Sequence, residues 1–127
     1  MLKKTITYTD YNGAERTENF YFNLTETEIM EMEIGTAGGY AEMIQRIVDA
    51  KDNPEIMRIF KDLILRSYGE KSDDGRRFVK SKEISEAFLQ SPAYSVLFME
   101  LITDKTGDVS AAFVNGIIPQ HNQMTVK

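Results

Sequence analysis

The chain is 127 residues long, 42% hydrophobic and 28% charged, with no cysteine and a single histidine, His121. That composition suits one folded domain with a sizeable core. It excludes disulfides and thiolate chemistry and, within one chain, a histidine-based triad or a two-histidine zinc site. The formal net charge of −5 argues against a nucleic-acid binder, which needs a basic face for phosphate.

The first 24 residues read as a β-hairpin. Leu2, Lys4, Ile6 and Tyr8 alternate with polar residues, as do Phe20, Phe22 and Leu24, around Asp10-Tyr11-Asn12-Gly13-Ala14. A two-residue Asn12-Gly13 turn would pair even positions with odd ones and put Ile6 and Tyr8 on the face opposite Phe20 and Phe22. A three-residue loop over 11–13, with left-handed Gly13 as a bulge, pairs even with even and gathers the four on one face. The bulged loop is therefore predicted. Leu24-Thr25-Glu26-Thr27-Glu28-Ile29 then starts a helix: Thr25 and Glu28 form a capping box, with Leu24 and Ile29 as the hydrophobic staple. This helix should run to Glu33 and break at residues 35–39, which hold three glycines.

A second helix is predicted over 40–50, with Tyr40, Met43, Ile44, Ile47 and Val48 in one stripe. Asn53 and Pro54 start a third, with Ile56, Ile59, Phe60, Leu63 and Ile64 inward and Gly69 as its stop. The short link predicts that these two pack side by side, with the hairpin's apolar face on one of them. Residues 69–81 read as a polar loop turning at Asp73-Asp74-Gly75, with a short extended piece at 77–80. Ser81 caps a short helix carrying Ile84, Ala87 and Phe88. Ser91-Pro92 opens another, with Tyr94, Leu97, Phe98 and Leu101 on its apolar face. Asp108 caps the last, with Val109, Ala112 and Phe113 inward, and Asn115-Gly116 ends it. The fold expected is α+β: one domain over 1–119, with a hairpin at 1–24 and about five helices at 25–118. A disordered tail is expected at 120–127.

Charge is unevenly placed. Residues 15–33 hold six glutamates against Arg16, while residues 71–82 hold Lys71, Arg76, Arg77, Lys80 and Lys82 against Asp73 and Asp74. These runs read as solvated faces or as contacts with a complementary partner or a second copy. No phosphate-binding loop, calcium loop or nucleophile elbow is present, no cofactor is implied, and the abundant carboxylates read as solvated surface, so the chain is not expected to be an enzyme. No apolar run suggests a membrane span and no signal peptide is evident, so a soluble cytosolic protein is expected. Six methionines beyond the first, including Met30, Met32, Met43, Met57 and Met99, are the compositional oddity. Met30 and Met32 cannot share a core-facing side. Methionine fills core gaps, or lines apolar surfaces that accept imperfectly matched partners.

Several stretches, spread over about residues 1–119, resemble the tail assembly chaperones of long-tailed bacteriophages of Gram-positive bacteria. They are Tyr8-Thr9-Asp10-Tyr11-Asn12-Gly13 leading to Phe20-Tyr21-Phe22-Asn23-Leu24-Thr25, Ser67-Tyr68-Gly69-Glu70-Lys71-Ser72 with Gly75-Arg76-Arg77-Phe78, Phe98-Met99-Glu100-Leu101, and the run from Ala111 to Pro119. The resemblance implies a non-enzymatic protein of the host cytoplasm, absent from the mature virion, that binds the tape measure protein and keeps it soluble. It also implies a longer frameshifted product that recruits tail tube protein. On this reading Met30, Met43, Met57, Phe98 and Met99 are the candidate partner-binding residues, and the outer hairpin edge could pair with another copy. The alternatives are a structural virion protein, such as a tail completion or head–tail connector subunit, and a small helical regulator of a host protein.

Overall fold

The computed structural model of the chain describes residues 1–35, 54–104 and 106–118. Strands β1 (Leu2–Thr9) and β2 (Glu15–Phe22) pair antiparallel from Leu2↔Phe22 to Thr9↔Glu15, even with even. The Asp10 N–H donates to the Ala14 carbonyl at 2.8 Å and the Gly13 N–H to the Asp10 carbonyl at 2.9 Å, with Gly13 at φ 85°. This is the bulged loop that parity required. Ile6 and Phe22 are buried on one face, with Tyr8 and Phe20 packed against them.

Helix α1 (Glu26–Gly35) begins on the predicted capping box. The Glu28 N–H donates to Thr25 Oγ1 at 3.1 Å and the Thr25 N–H to Glu28 Oε1 at 2.8 Å. Leu24 and Ile29 are both buried, as a staple requires. The helix runs two residues past Glu33 into the glycine run, because a glycine weakens a last turn by about 1 kcal/mol without forbidding it. The predicted helix over 40–50 with its methionine Met43, the Asn53 cap, the packing of that helix on the next, and the tail over 120–127 lie outside the described residues.

Helix α2 (Glu55–Ser67) buries Ile56, Phe60, Leu63 and Ile64, with helical backbone already at Pro54 (φ −53°, ψ −24°). The chain passes directly from α2 into β3 (Tyr68–Lys71), and β4 (Phe78–Val79) returns beside it, so the expected polar loop is a second hairpin. Its turn sits at the predicted glycine, Gly75, with φ 75°. Gly69 is not a helix stop. A Cβ there would lie 2.7 Å from the Phe78 ring and 2.8 Å from the Val79 carbonyl, so only glycine lets β4 fold this close. Among the described residues the four antiparallel strands follow the order β1-β2-β3-β4.

Three helices complete the described residues: α3 (Lys82–Leu89), α4 (Pro92–Ile102) and α5 (Asp108–Ile117). Ser81 caps α3 as predicted, accepting from the Ile84 N–H at 3.0 Å. Ser91 precedes Pro92 in extended backbone, but its hydroxyl donates back to the Phe88 carbonyl at 2.8 Å instead of capping α4. Asp108 is the first residue of α5, not its cap. The cap is Asp104, whose Oδ2 accepts from the Val109 N–H at 2.8 Å, while Gly107 makes the turn at φ 80°. Gly116 does not end α5 either, since the helix continues to a buried Ile117. Gly116 faces Leu2, whose Cδ1 lies 2.8 Å from where a Cβ would be.

The core lies between the sheet and the helices. Phe22, fully buried, meets Phe88 of α3 and Phe113 of α5 edge-on at 5.8 and 5.5 Å. Among the described residues the hairpin's apolar face rests chiefly on α4, which also packs on α2, rather than on α2 itself; the helix expected over 40–50, the other candidate to take it, lies outside those residues. Helix α4 buries Ala93, Leu97 and Leu101 at every fourth position, which gives it a stripe that fits the sheet. Ala112, predicted inward, is exposed, as is Ala87 on α3, and Val114 and Ile117 fill the core beside Phe113.

Candidate partner-binding surface

The methionine pair on α1 divides as its spacing requires: Met32 is buried, while Met30 is 61% exposed. Met57, in the first turn of α2, is 47% exposed, and Met99 on α4 is 49% exposed. Val96, three residues before Met99 and on the same side of α4, is 43% exposed and was not singled out from the sequence. Phe98 is half-buried. Its ring stacks on Tyr94 at 5.6 Å, and Tyr94 meets Phe88 edge-on at 5.9 Å, so Phe98 is the outer end of an aromatic row that reaches into the core. Thus Met30, Met57 and Met99 project from three different helices, Phe98 belongs as much to the core as to the surface, and Met43 is outside the described residues.

The acidic and basic runs meet inside the molecule. Lys80, just after β4, donates to both Glu28 carboxylate oxygens at 2.8 and 2.9 Å and to the Asn23 carbonyl at 2.6 Å. One ammonium thereby ties the second hairpin to the cap of α1 and to the end of β2. Burial pushes the Glu28 carboxyl up, but the Lys80 ammonium and the Thr25 N–H outweigh it and hold the group below its ordinary range. On the hairpin, the Tyr8 hydroxyl donates to Glu18 at 2.5 Å, and that bond with burial raises the phenol. Arg16 holds Asp10 at 2.6 Å and lowers its carboxyl. These groups fasten loops and strands to one another. Among the described residues, no group of three or more histidine, aspartate or glutamate side chains is placed to hold a metal ion. No described helix is long and apolar enough to cross a membrane.

The surface thus combines protruding methionines with a body fastened by hydrogen bonds and ion pairs. A family described as phage tail assembly chaperone matches residues 1–127. The chain belongs to that family. No curated protein and no solved structure matches it significantly. A tail assembly chaperone acts on other polypeptides, and among the described residues Met30, Val96, Met57 and Met99 are the large apolar side chains that α1, α2 and α4 leave exposed. An unbranched thioether adapts to an irregular apolar partner at little strain. The family match also gives the Lys80 clasp a context, since an apolar side chain offered to a partner is useful only when its helix is held on a stable body.

Proposed function

We propose that this chaperone binds the tape measure protein during tail assembly and keeps it soluble until tube subunits enclose it. The observation that carries the reading is the outward projection of Met30, Met57 and Met99, each about half exposed or more, from three helices of one small body. A partner helix presents apolar side chains at i, i+3, i+4 and i+7, and methionines accept such a row without a fixed register. Val96 extends the patch on α4, and Met43 and the Phe98 edge are further candidates. The net charge of −5 keeps loaded complexes apart in solution. The role is one of binding, without covalent chemistry, in the host cytoplasm. The chaperone leaves before the virion matures, and a longer frameshifted product recruits tube protein.

Co-expression with the tape measure protein of the same phage tests this. The wild-type chain should bring the tape measure protein into the soluble fraction. A Met30→Glu/Met57→Glu/Met99→Glu variant that keeps its circular dichroism spectrum and Tm should not. If that folded variant still holds the partner in solution, these residues are not the contact. Mass spectrometry of purified particles should find no stoichiometric copy of the chain.

A further inference from the structure

Among the described residues the sheet has a backbone edge that its strands leave open. The hydrogen bond from the Asp10 N–H to the Ala14 carbonyl closes the first hairpin. Alternation from that pair gives even positions of β2 to β1 and turns the N–H and C=O groups of odd positions the other way. Tyr21 spends its groups on Gly69, and the Asn23 N–H donates to the Ser67 carbonyl at 2.8 Å. There the pairing stops. At Gly69 strand β3 changes partner: Tyr68 and Gly69 lie against β2, whereas Glu70 and Lys71 pair with β4. Gly69 permits this because the Phe78 ring and Val79 carbonyl occupy the space of a Cβ. The backbone at Glu15, Thr17 and Asn19 therefore faces no strand among the described residues, and all three residues are exposed. Where β2 and β3 diverge, residues 18–21 and 68–71 line an open cleft of about 370 Å³.

The charge around this edge selects the occupant. Glu15 and Glu70 enter no ion pair among the described residues, and Glu18 carries the Tyr8 hydroxyl with Arg16 3.5 Å away. Arg16 is itself held by Asp10 at 2.6 Å, and Lys71 is the one cation among the residues that line the cleft. Tyr21 and Tyr68 in the same cleft supply aromatic surface for long basic side chains. We propose that the free edge of β2 at residues 15–19, with the cleft it shares with β3, takes an extended lysine- or arginine-bearing segment of a partner polypeptide as an added strand. Backbone bonds at Thr17 and Asn19 supply the affinity, and Glu15, Glu18 and Glu70 select the charge. A second copy of this chain is the weaker occupant. Copies of net charge −5 repel, and of the two lysines on the chain's own outer strand, Lys4 is already held by Glu100 at 2.8 Å. The site uses a strand edge and carboxylates, so it stands independently of the methionine surface proposed above.

The test is a titration of the full 15N-labelled chain with a capped alternating Lys-Val hexapeptide and its Glu-Val counterpart. The expected result is that the Lys-Val peptide shifts the amides of Glu15, Thr17, Asn19, Tyr21 and Gly69 and slows hydrogen exchange at Thr17 and Asn19. It should bind at least about fivefold more tightly than the Glu-Val peptide, the factor that ~1 kcal/mol of charge selection gives. Thr17→Pro removes an outward donor and leaves the β1 bonds in place, losing only the Thr7–Thr17 hydroxyl contact, and it should weaken binding at least about tenfold. Glu15→Lys/Glu70→Lys changes charge without altering the backbone and should abolish the preference for the basic peptide, which keeps the test decisive if the proline variant does not fold. Shifts mapped elsewhere, no binding of the Lys-Val peptide, or affinity unchanged by both variants would overturn the proposal. So would a concentration-dependent dimer that Thr17→Pro dissociates, because the edge would then belong to a second copy.

Discussion

Replacing Lys80 with methionine removes the ammonium that holds the second hairpin to α1 while keeping most of the stem's apolar volume. The Lys80 and Glu28 side chains are 20% and 33% exposed, and their two contacts measure 2.8 and 2.9 Å. A fully exposed pair contributes about 0–1 kcal/mol, and removing one partner of a buried pair costs about 3–5 kcal/mol. At this intermediate burial, with the Asn23 carbonyl also losing its donor, Lys80→Met should cost about 2 kcal/mol. For a domain of this size that is a Tm decrease of about 7 °C. A double-mutant cycle with Glu28→Gln isolates the charge, since the amide oxygen can still accept from the Thr25 N–H, and should return a coupling of about 1–2 kcal/mol. The pH dependence has a definite sign. The folded-state value of Glu28 lies below its unfolded value, so the stabilisation is fully present above the unfolded value of about 4.3 and is lost as pH falls through the folded one. In urea unfolding the gap between wild type and Lys80→Met should therefore be widest near neutrality and should narrow below about pH 4. A cost under about 0.5 kcal/mol at neutral pH, the value of an exposed pair, would refute the reasoning, as would a gap that stays constant into acid.

Gly69→Ala should destabilise the chain by about 2–3 kcal/mol in urea unfolding, because the added Cβ meets the Val79 carbonyl, a backbone atom that cannot swing aside. Ser81→Ala removes the hydroxyl that accepts from the Ile84 N–H and should cost about 1 kcal/mol. Asp104→Asn should lower Tm at neutral pH. Burial opposes ionisation of Asp104, but the hydroxyl of Thr106 and the N–H groups of Val109, Ser110 and Thr106 hold its carboxyl below the ordinary range. The difference from wild type should close as pH falls through that lowered value, and thermal melts from pH 7 downward will read it.

Which parts of this fold were legible depended on how far away the deciding atoms lie. The first hairpin was legible to the residue, because a period of two and a buried face leave one parity and parity fixes the loop. The Thr25–Glu28 capping box and the Ser81 cap were legible because their partners are three residues apart. Gly69 and Gly116 were misread as helix stops because their true constraints, the Phe78 ring and the Leu2 side chain, are distant in sequence. Strand β3 was missed because four residues, Tyr-Gly-Glu-Lys, are too few to alternate and gain their partners from β2 and β4. Local reading chose Asp108 as a cap because it adjoins the helix, whereas Asp104 reaches it across a turn at Gly107. At the surface, the division of Met30 from Met32 followed from spacing alone. Val96 gave no signal, since one valine in an apolar helix reads as core.

The two proposed surfaces can be tested against each other because they rest on opposite chemistry. The methionines of α1, α2 and α4 would take an apolar helix, whose backbone is satisfied internally and needs nothing from the receptor. The β2 edge would take an extended segment, whose backbone groups need partners that a helix face cannot give. If both readings hold, Met30→Glu/Met57→Glu/Met99→Glu should lose the tape measure protein and keep the Lys-Val peptide, and Thr17→Pro should do the reverse. Loss of both ligands in a variant that remains folded would mean one continuous interface and would remove the separation argued here. Loss of neither would leave the outward methionines and the open edge as surface without a partner. The Lys80 clasp ties these cases together physically, because it joins the end of β2 to the first turn of α1. Lys80→Met, assayed below its own Tm, should therefore weaken the two ligands by similar factors if the clasp sets the geometry of both sites, and should weaken neither if each element holds its place alone.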